Sequence, residues 1–311
     1  DDYVVTDVNL EIEEGEFFVI IGPSGSGKTT MLKMINRLIP LSKGTIYVKD
    51  QPISDYNIQE LRWNMGYVLQ QIALFPNMTV EENIRTVPEM KNWSEEEMDE
   101  RVTSLLNSVG LDAESYRNRK TGELSGGEQQ RIGVLRAFAA DPDIILMDEP
   151  FSSLDPISRK SLQNDVIKMH KENNKTIVFV THDMQEAILL GSRIALMEEG
   201  EIVQKGTTEE IIHAPKNEFV KNFLKSGNIQ ENDFDKVESL VDEGYLLEFE
   251  SQEELSSSLY KEDSLNDLIL KLSDQEAVLI KNNEEEVLGK LDKKTLVSYL
   301  AEGIEKRGEV E

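Results

Sequence analysis

Nine residues directly after an apolar run have the types and spacing that bind phosphate groups. The segment consists of Gly22, Pro23, Ser24, Gly25, Ser26, Gly27, Lys28, Thr29 and Thr30. Its glycines let backbone N–H groups turn inward around a β-phosphate, and amide groups at a helix start add partial positive charge. We expect Lys28 to reach the β- and γ-phosphates and the Thr29 hydroxyl to face Mg²⁺. A flexible Gly/Ser loop before a helix is the alternative.

Two carboxylates and a histidine follow two further apolar runs. Asp148 and Glu149 come directly after residues 144–147, and His182 comes after residues 176–181. Asp148 suits support of Mg²⁺. Glu149 suits orientation and partial deprotonation of an attacking water, because phosphoryl transfer needs positioning more than covalent help. His182 suits donation to a γ-phosphate, although such groups are also found as solvated strand ends or structural histidines.

A second glycine-rich segment, Ser125-Gly126-Gly127, stands at a predicted helix start. Glycine inside a helix costs about 1 kcal/mol relative to alanine. Bare amide groups at a helix start suit an anion. A second phosphate site facing the first within one chain would be redundant, so the segment needs another explanation.

The elements that must position these residues form a simple pattern. Each of three apolar runs, FFVII, IILM and TIVFVT, ends in glycine or polar residues, which is typical of parallel strands with chemistry at their carboxyl ends. Residues from about 71 to 136 read as a helical insertion, and the first domain, 1–227, closes with a hairpin and helices. The chain starts at Asp1 without methionine and enters a strand-like run almost at once, so we expect residues to be missing in front.

The composition of this 311-residue chain argues against several classes of binding partner. The net charge of −27 argues against nucleic acid or an anionic bilayer as the main partner. The absence of cysteine excludes disulfides and thiolate metal sites, and the apolar runs are too short for direct membrane insertion. Residues 228–311 carry 23 acidic and 9 basic residues, a net charge of −14, which favours a separate acidic module.

The phosphate loop, YVLQQIALFP, LSGGEQQR, IILMDEP, SSLDP and THD occur in this order. Together they resemble an ATP-binding cassette (ABC) ATPase over about residues 3–225. The resemblance implies an α/β P-loop fold with a RecA-like parallel sheet core, an antiparallel β subdomain and a helical insertion, and an enzyme that hydrolyses ATP with Mg²⁺. It also implies that Gln70 senses the γ-phosphate and Mg²⁺, that the loop after Gln70 contacts a permease, and that Asp155 lies at a dimer interface.

The resemblance also explains the second glycine segment. In the family, the segment corresponding to Ser125, Gly126 and Gly127 faces the γ-phosphate bound by another copy, so two ATP molecules are enclosed by a head-to-tail homodimer. The glycines then permit close backbone approach across the interface. An aromatic residue that stacks on adenine would align before Asp1, and Tyr3 is a weak substitute.

Longer stretches such as ELRWNMGYVLQQIALFPNMTVEENI and FVTHDMQEAI are similar to ATPases of quaternary-amine osmoprotectant importers (glycine betaine, carnitine, choline). This similarity implies docking under an integral membrane permease at the cytoplasmic face of the cell membrane, served indirectly by a substrate-binding protein. Two alternatives are an importer of another small solute, such as an amino acid, and a non-transport ABC ATPase switch.

Residues 263–300 read as helix, strand, turn, strand and helix, and resemble one cystathionine-β-synthase (CBS) repeat. Residues 238–262 are interpreted as a degenerate first copy. Gly289 is followed by Asp292 and Thr295, the reverse of the G-x-x-[ST]-x-x-D order of nucleotide-binding repeats. The small α+β domain 228–311 is therefore either a regulatory or dimerising module or a structural remnant.

Overall fold

The computed structural model describes residues 3–227, 237–242, 244–247, 257–282 and 284–299. The chain divides into two compact units, Asp1–Gly227 and Asn228–Glu311. In the described part of the chain, no helix is both long enough and apolar enough to cross a membrane.

The first unit is built on a six-stranded sheet. The strands of the unit are β1 (Phe17–Ile21), β2 (Tyr47–Val48), β3 (Gln51–Pro52), β4 (Met65–Val68), β5 (Ile144–Asp148), β6 (Thr176–Thr181), β7 (Arg193–Glu198) and β8 (Glu201–Thr207). The order in the sheet is β4-β5-β6-β1-β7-β8, in which only β8 is antiparallel to its neighbour. The three predicted apolar runs are the central strands β5, β6 and β1, so the prediction of a parallel core is confirmed.

Strand register brings the polar strand ends to one edge of this sheet. Asp148 pairs with Val180 across β5 and β6, and Ile21 pairs with Thr181 across β1 and β6. The residues that follow these strands therefore lie side by side. Both faces of the strands are buried, which is why their sequences are nearly continuous apolar runs.

Helices cover the faces of the sheet. They are α1 (Lys28–Ile35), α2 (Ile58–Trp63), α3 (Val80–Met90), α4 (Glu95–Ser108), α5 (Ala113–Tyr116), α6 (Gly126–Ala139), α7 (Pro156–Asn173), α8 (Met184–Leu190), α9 (Thr208–His213) and α10 (Glu218–Ser226). Met31 and Leu32 of α1 pack against Phe18 of β1 in the apolar core. Burial of each such side chain contributes about 1.5–3 kcal/mol, which fixes α1 and the loop before it on the sheet.

The predicted strand-like run near the start is wrong. Residues 3–16 form no β-strand, although Val5, Val8 and Leu10 pack against the apolar core. Their apolar pattern reflects side-chain packing and not a sheet ladder. The antiparallel pairs of this unit are β2 with β3 and β7 with β8.

The described part of the second unit contains α11 (Val237–Asp242), β9 (Ser258–Tyr260), α12 (Leu265–Asp274), β10 (Ala277–Lys281), β11 (Val287–Asp292) and a helical segment, 293–299. The sheet order is β11-β10-β9, with β10 parallel to β9 and antiparallel to β11. This confirms the predicted order of helix, strand, turn, strand and helix. The predicted degenerate first copy lies partly outside the described residues.

Asp292 and Thr295 bond to each other at the start of the last helical segment. Thr295 N donates to Asp292 Oδ1 at 2.8 Å, and Asp292 N donates to Thr295 Oγ1 at 3.0 Å. The two side chains therefore satisfy a helix start, as in a capping pair.

Candidate active site

The phosphate loop connects β1 to α1 through backbone that requires glycine. Gly25 and Gly27 have φ values of +83° and +101°, in the left-handed region that glycine adopts without strain. A Cβ on Gly22 would lie 2.1 Å from the Met197 carbonyl oxygen. Gly27 stands before α1 without a capping side chain, and the buried Ser26 hydroxyl has no hydrogen-bond partner among the described residues. The loop thus offers backbone and hydroxyl donors to an anion.

Lys28 lies across this loop. Its Nζ donates to the carbonyl oxygens of Gly22 and Pro23 at 2.8 and 2.9 Å. Burial lowers the pKa of the Lys28 ammonium, and the nearby carboxylates of Glu149 and Asp148 act against this shift. The ammonium is therefore held beside the cradle, where phosphate oxygens would compete with the two carbonyls for its protons.

Thr29 and Asp148 meet between α1 and β5. Thr29 Oγ1 donates to Asp148 Oδ1 at 2.7 Å. Burial raises the pKa of the Asp148 carboxyl, while the Thr29 hydrogen bond and the charge of Lys33 act in the opposite direction. A hydroxyl and a carboxylate are oxygen ligands of the kind that Mg²⁺ prefers, so these residues fit a magnesium ion.

Residues from three sequence motifs meet at one carboxylate oxygen of Glu149. Its Oε2 lies 2.9 Å from His182 Nδ1 and 3.4 Å from Gln70 Nε2. Gln70 follows β4, Glu149 follows β5 and His182 follows β6, so the parallel strands deliver them to the same edge. All three predicted residues are brought together beside the phosphate loop.

The backbone of Glu149 is held in an unusual conformation. Its φ is +43°, a region that costs a non-glycine residue about 1–3 kcal/mol. The Glu149 N–H donates to the Val180 carbonyl at 2.9 Å, which ties it to β6. The side chain is only 16% exposed. Strand pairing thus fixes the direction of this carboxylate.

The second glycine segment starts α6, as predicted. Ser125 caps the helix: Glu128 N donates to Ser125 Oγ at 3.3 Å, and Ser125 N donates to Glu128 Oε2 at 2.7 Å. A Cβ on Gly126 would meet no atom within 4 Å, whereas one on Gly127 would lie 2.8 Å from Ser158 Oγ. Within residues 3–227, no hydrogen bond or ion pair joins this segment to the phosphate loop.

Asp155 caps the next long helix, α7. Its Oδ1 accepts from the backbone N–H groups of Ile157 and Ser158, both at 3.1 Å. Hydrogen bonds with Ser158 lower the pKa of the Asp155 carboxyl. The side chain therefore has a local structural task within its own chain.

Three polar residues near the site were not predicted from the sequence: the partly exposed Arg136 and Arg159 and the buried Glu186. Arg136 donates to the Ala73 carbonyl at 2.8 Å and so holds the loop after Gln70. Arg159 and Glu186 line a depression together with Glu149 and His182. Glu186 follows Asp183 by three residues, a helix-start spacing that was a usable signal; Arg136 and Arg159 had none, because their contacts depend on tertiary structure.

A glycine-rich loop before a helix, a threonine–aspartate pair whose oxygens fit Mg²⁺ and a carboxylate–histidine pair at the ends of parallel strands define a P-loop nucleotide-binding protein. Residues 5–152 match the family model described as ABC transporter. The glycine betaine uptake system ATP-binding protein YehX of Escherichia coli is 47% identical over 220 residues, which cover 71% of each chain. The chain belongs to the family of ABC transporter ATP-binding proteins, as the motifs predicted.

Other relatives have related names. The glycine betaine/carnitine/choline transport ATP-binding protein OpuCA of Bacillus subtilis is 53% identical over 239 residues, 76% of this chain and 63% of that protein. The chain thus spans less than two thirds of the length of this relative. The solved dimeric structure of the ATP-binding cassette MJ0796, in a post-hydrolysis state bound to ADP and Pi, has a TM-score of 0.60 and 38% identity, and covers 66% of this chain and 91% of its own.

Proposed function

We propose that this protein is the ATP-hydrolysing subunit of an ABC importer that takes up a quaternary-amine osmoprotectant, such as glycine betaine, carnitine or choline. The observation that carries the proposal is the meeting of Gln70 and His182 on Glu149 Oε2 beside the phosphate loop. The substrate class is supported by the names of the relatives. The alternatives are uptake of another small solute, such as an amino acid, and a non-transport switch. Co-purification with a permease and stimulation of ATP hydrolysis by the solute distinguish them.

Different residues of the site have different roles in phosphoryl transfer. The phosphate loop, Gly22–Thr30, binds the β- and γ-phosphates through backbone N–H groups and Lys28. Thr29, Asp148 and Gln70 would hold Mg²⁺, which would neutralise charge that develops on phosphate oxygens. Glu149 orients a water and accepts its proton, and His182, which contacts Glu149 in the free chain, donates to the γ-phosphate when nucleotide is bound.

A second copy of the chain completes each site. Gly126 presents open backbone at the start of α6, and the Ser125–Gly127 segment makes no bond to its own phosphate loop. Ser125, Gly126, Gly127 and Asp155 then act on the nucleotide of the partner copy. The dimeric structure of the similar cassette MJ0796 supports this arrangement.

The permease docks on the loop after Gln70, at the cytoplasmic face of the membrane, and a substrate-binding protein delivers the solute to the permease. Residues 1–227 form the ATPase domain with its helical part at about 71–136. Residues 228–311 form an acidic CBS-like regulatory domain.

Glu149→Gln tests the proposal, because an amide cannot accept the proton of the water. We expect ATP binding to persist, hydrolysis to fall about 10²–10⁴-fold, and the ATP-bound dimer to accumulate. Glu201→Gln, at an exposed position of β8, is the matched control and keeps wild-type turnover. Turnover of Glu149→Gln near the wild-type rate would falsify the assignment of Glu149.

The transport proposal needs a second measurement. The subunit should purify from membranes with an integral permease, and the assembled complex should hydrolyse ATP faster when its substrate-binding protein carries a quaternary amine. Stimulation by an amino acid alone would assign another solute. Purification without any permease would indicate a non-transport switch.

A further inference from the structure

Glu149 and His182 line a depression that extends to α7 and α8. Its walls come from α7 on one side and from the start of α8 on the other. Arg159 projects into it from α7, one turn after Asp155, and Glu186 projects from α8, four residues after His182. A cation and a carboxylate thus share a small space between two loops of the site.

Arg159 is incompletely bonded. Its Nη2 donates to the Leu154 carbonyl at 3.3 Å, while its Nε is buried and has no hydrogen-bond partner among the described residues. A buried N–H without a partner is unfavourable, and a charged one more so. A further hydrogen-bond acceptor within reach of Nε would therefore stabilise Arg159. Its present hydrogen bond to Leu154 connects it to the Ser153–Asp155 loop.

Glu186 holds the exit of strand β6. It is only 6% exposed, and its Oε2 accepts a hydrogen bond from Thr181 Oγ1 at 2.7 Å. The same hydroxyl accepts from the N–H of Asp183 at 3.0 Å. The residues on both sides of His182 are thus connected to Glu186 by hydrogen bonds.

Glu186 is one of the carboxylates that share the depression with Arg159. The carboxylate of Asp183 caps α8 through the N–H groups of Gln185 and Glu186, and Glu149 is engaged by His182. The hydrogen bonds of Glu186 involve Oε2, and among the described residues none involves Oε1. Burial raises the pKa of the Glu186 carboxyl, whereas the hydrogen bond from Thr181 and the positive charge of Arg159 act against this shift.

We propose that Arg159 and Glu186 are a pair of positioning residues that connects the Ser153–Asp155 loop to His182. When a second copy engages this loop, Arg159 Nε bonds to Glu186 Oε1, and Glu186 in turn fixes Thr181 and Asp183 around the histidine. Contact with the partner copy thereby sets His182 against Glu149. The inference rests on the proposed function and adds the route by which the dimer interface acts on hydrolysis.

The test uses the full chain assembled with its permease. Arg159→Ala and Glu186→Gln are each expected to lower kcat about 10–100-fold with KM for ATP within about twofold of wild type, because the pair acts on the reacting geometry and not on nucleotide binding. The double variant should be no slower than the slower single variant. Lys160→Ala removes an exposed cation from the neighbouring position of α7 and should match wild type.

If Arg159 served only to hold the loop structure, its substitution would also change dimer formation and KM. In the Glu149→Gln background, Arg159→Ala should still form the ATP-bound dimer, whereas general damage to the loop would weaken dimer formation and raise KM as well. If Arg159→Ala does not fold, Glu186→Gln preserves shape and carries the same test. Losses of kcat that multiply in the double variant, or singles within twofold of wild type, overturn the pairing.

The two proposals fail separately. If Glu149→Gln itself hydrolyses ATP at the wild-type rate, the site assignment fails. If Glu149→Gln stalls while Arg159 and Glu186 behave independently, only the pairing fails.

Discussion

Alanine at Gly126 and alanine at Gly127 should have opposite effects on the stability of the isolated chain. A Cβ at position 126 meets no atom within 4 Å, whereas a Cβ at position 127 would lie 2.8 Å from Ser158 Oγ and 3.0 Å from Ser158 Cβ. Both residues have φ outside the left-handed region, so neither substitution strains the backbone itself. Comparison of the two variants therefore separates the effect of contacts inside the chain from the effect of contacts with another molecule.

The magnitudes follow from these distances. Gly126→Ala removes unfolded-chain entropy and should stabilise by about 0.5–1 kcal/mol. Gly127→Ala overpacks the contact with Ser158 and should cost about 1–3 kcal/mol. At roughly 2–4 °C per kcal/mol for a unit of this size, Tm should rise by about 1–4 °C for the first variant and fall by about 2–12 °C for the second.

The effect of Gly126→Ala on ATP hydrolysis should be opposite to its effect on stability. Because Gly126 presents its open backbone to the partner copy in the proposed dimer, Gly126→Ala should lower ATPase activity at least about tenfold despite its higher Tm. Nucleotide-free thermal denaturation and steady-state ATPase, measured on the same preparations, check both parts. A Gly126→Ala protein with wild-type turnover would refute the reasoning that this surface closes over nucleotide.

Three further changes test other parts of the site. Asp148→Asn should weaken Mg²⁺-dependent ATP binding about 10–100-fold, as measured by calorimetry over a Mg²⁺ series, and an unchanged Mg²⁺ dependence would contradict the ligand assignment. Arg136→Ala removes the hydrogen bond to the Ala73 carbonyl, so amide exchange around Ala73 should rise about tenfold or more, while unchanged protection would show that other contacts hold this loop. Burial raises the pKa of the Glu186 carboxyl above its ordinary 4.5, so protonated Glu186 stabilises the fold at low pH and this stabilisation is lost as the pH rises. The Tm of Glu186→Gln relative to wild type should therefore increase from about pH 4 to pH 8. A decrease over this range would contradict the direction of the pKa shift.

The sheet and the main site were predictable because their signals are local. A buried parallel strand is an apolar run, and the polar residues after β5 and β6 must lie at one edge. The sequence could not show that Gln70 and His182 share a single oxygen of Glu149, since that depends on side-chain directions across three strands.

The start of the chain and the second layer of the site were not predictable in the same way. Apolar residues at positions 5, 8 and 10 pack against a core without a strand partner, and apolar spacing does not distinguish this from a ladder. The approach of Gly127 to Ser158 joins residues 31 positions apart, and the shared depression of Arg159 and Glu186 joins helices from different parts of the chain. Such relations arise from tertiary packing.

The two carbonyl bonds of Lys28 have a consequence for ligand selection. Nζ donates two of its three N–H groups to Gly22 and Pro23 at 2.8 and 2.9 Å, so an anion that accepts from more than one N–H group must replace a good acceptor. Chloride, with a single centre and no fork of oxygens, gains little from that exchange, whereas a polyphosphate supplies several oxygens at once. These two hydrogen bonds therefore favour a polyphosphate over a monatomic anion.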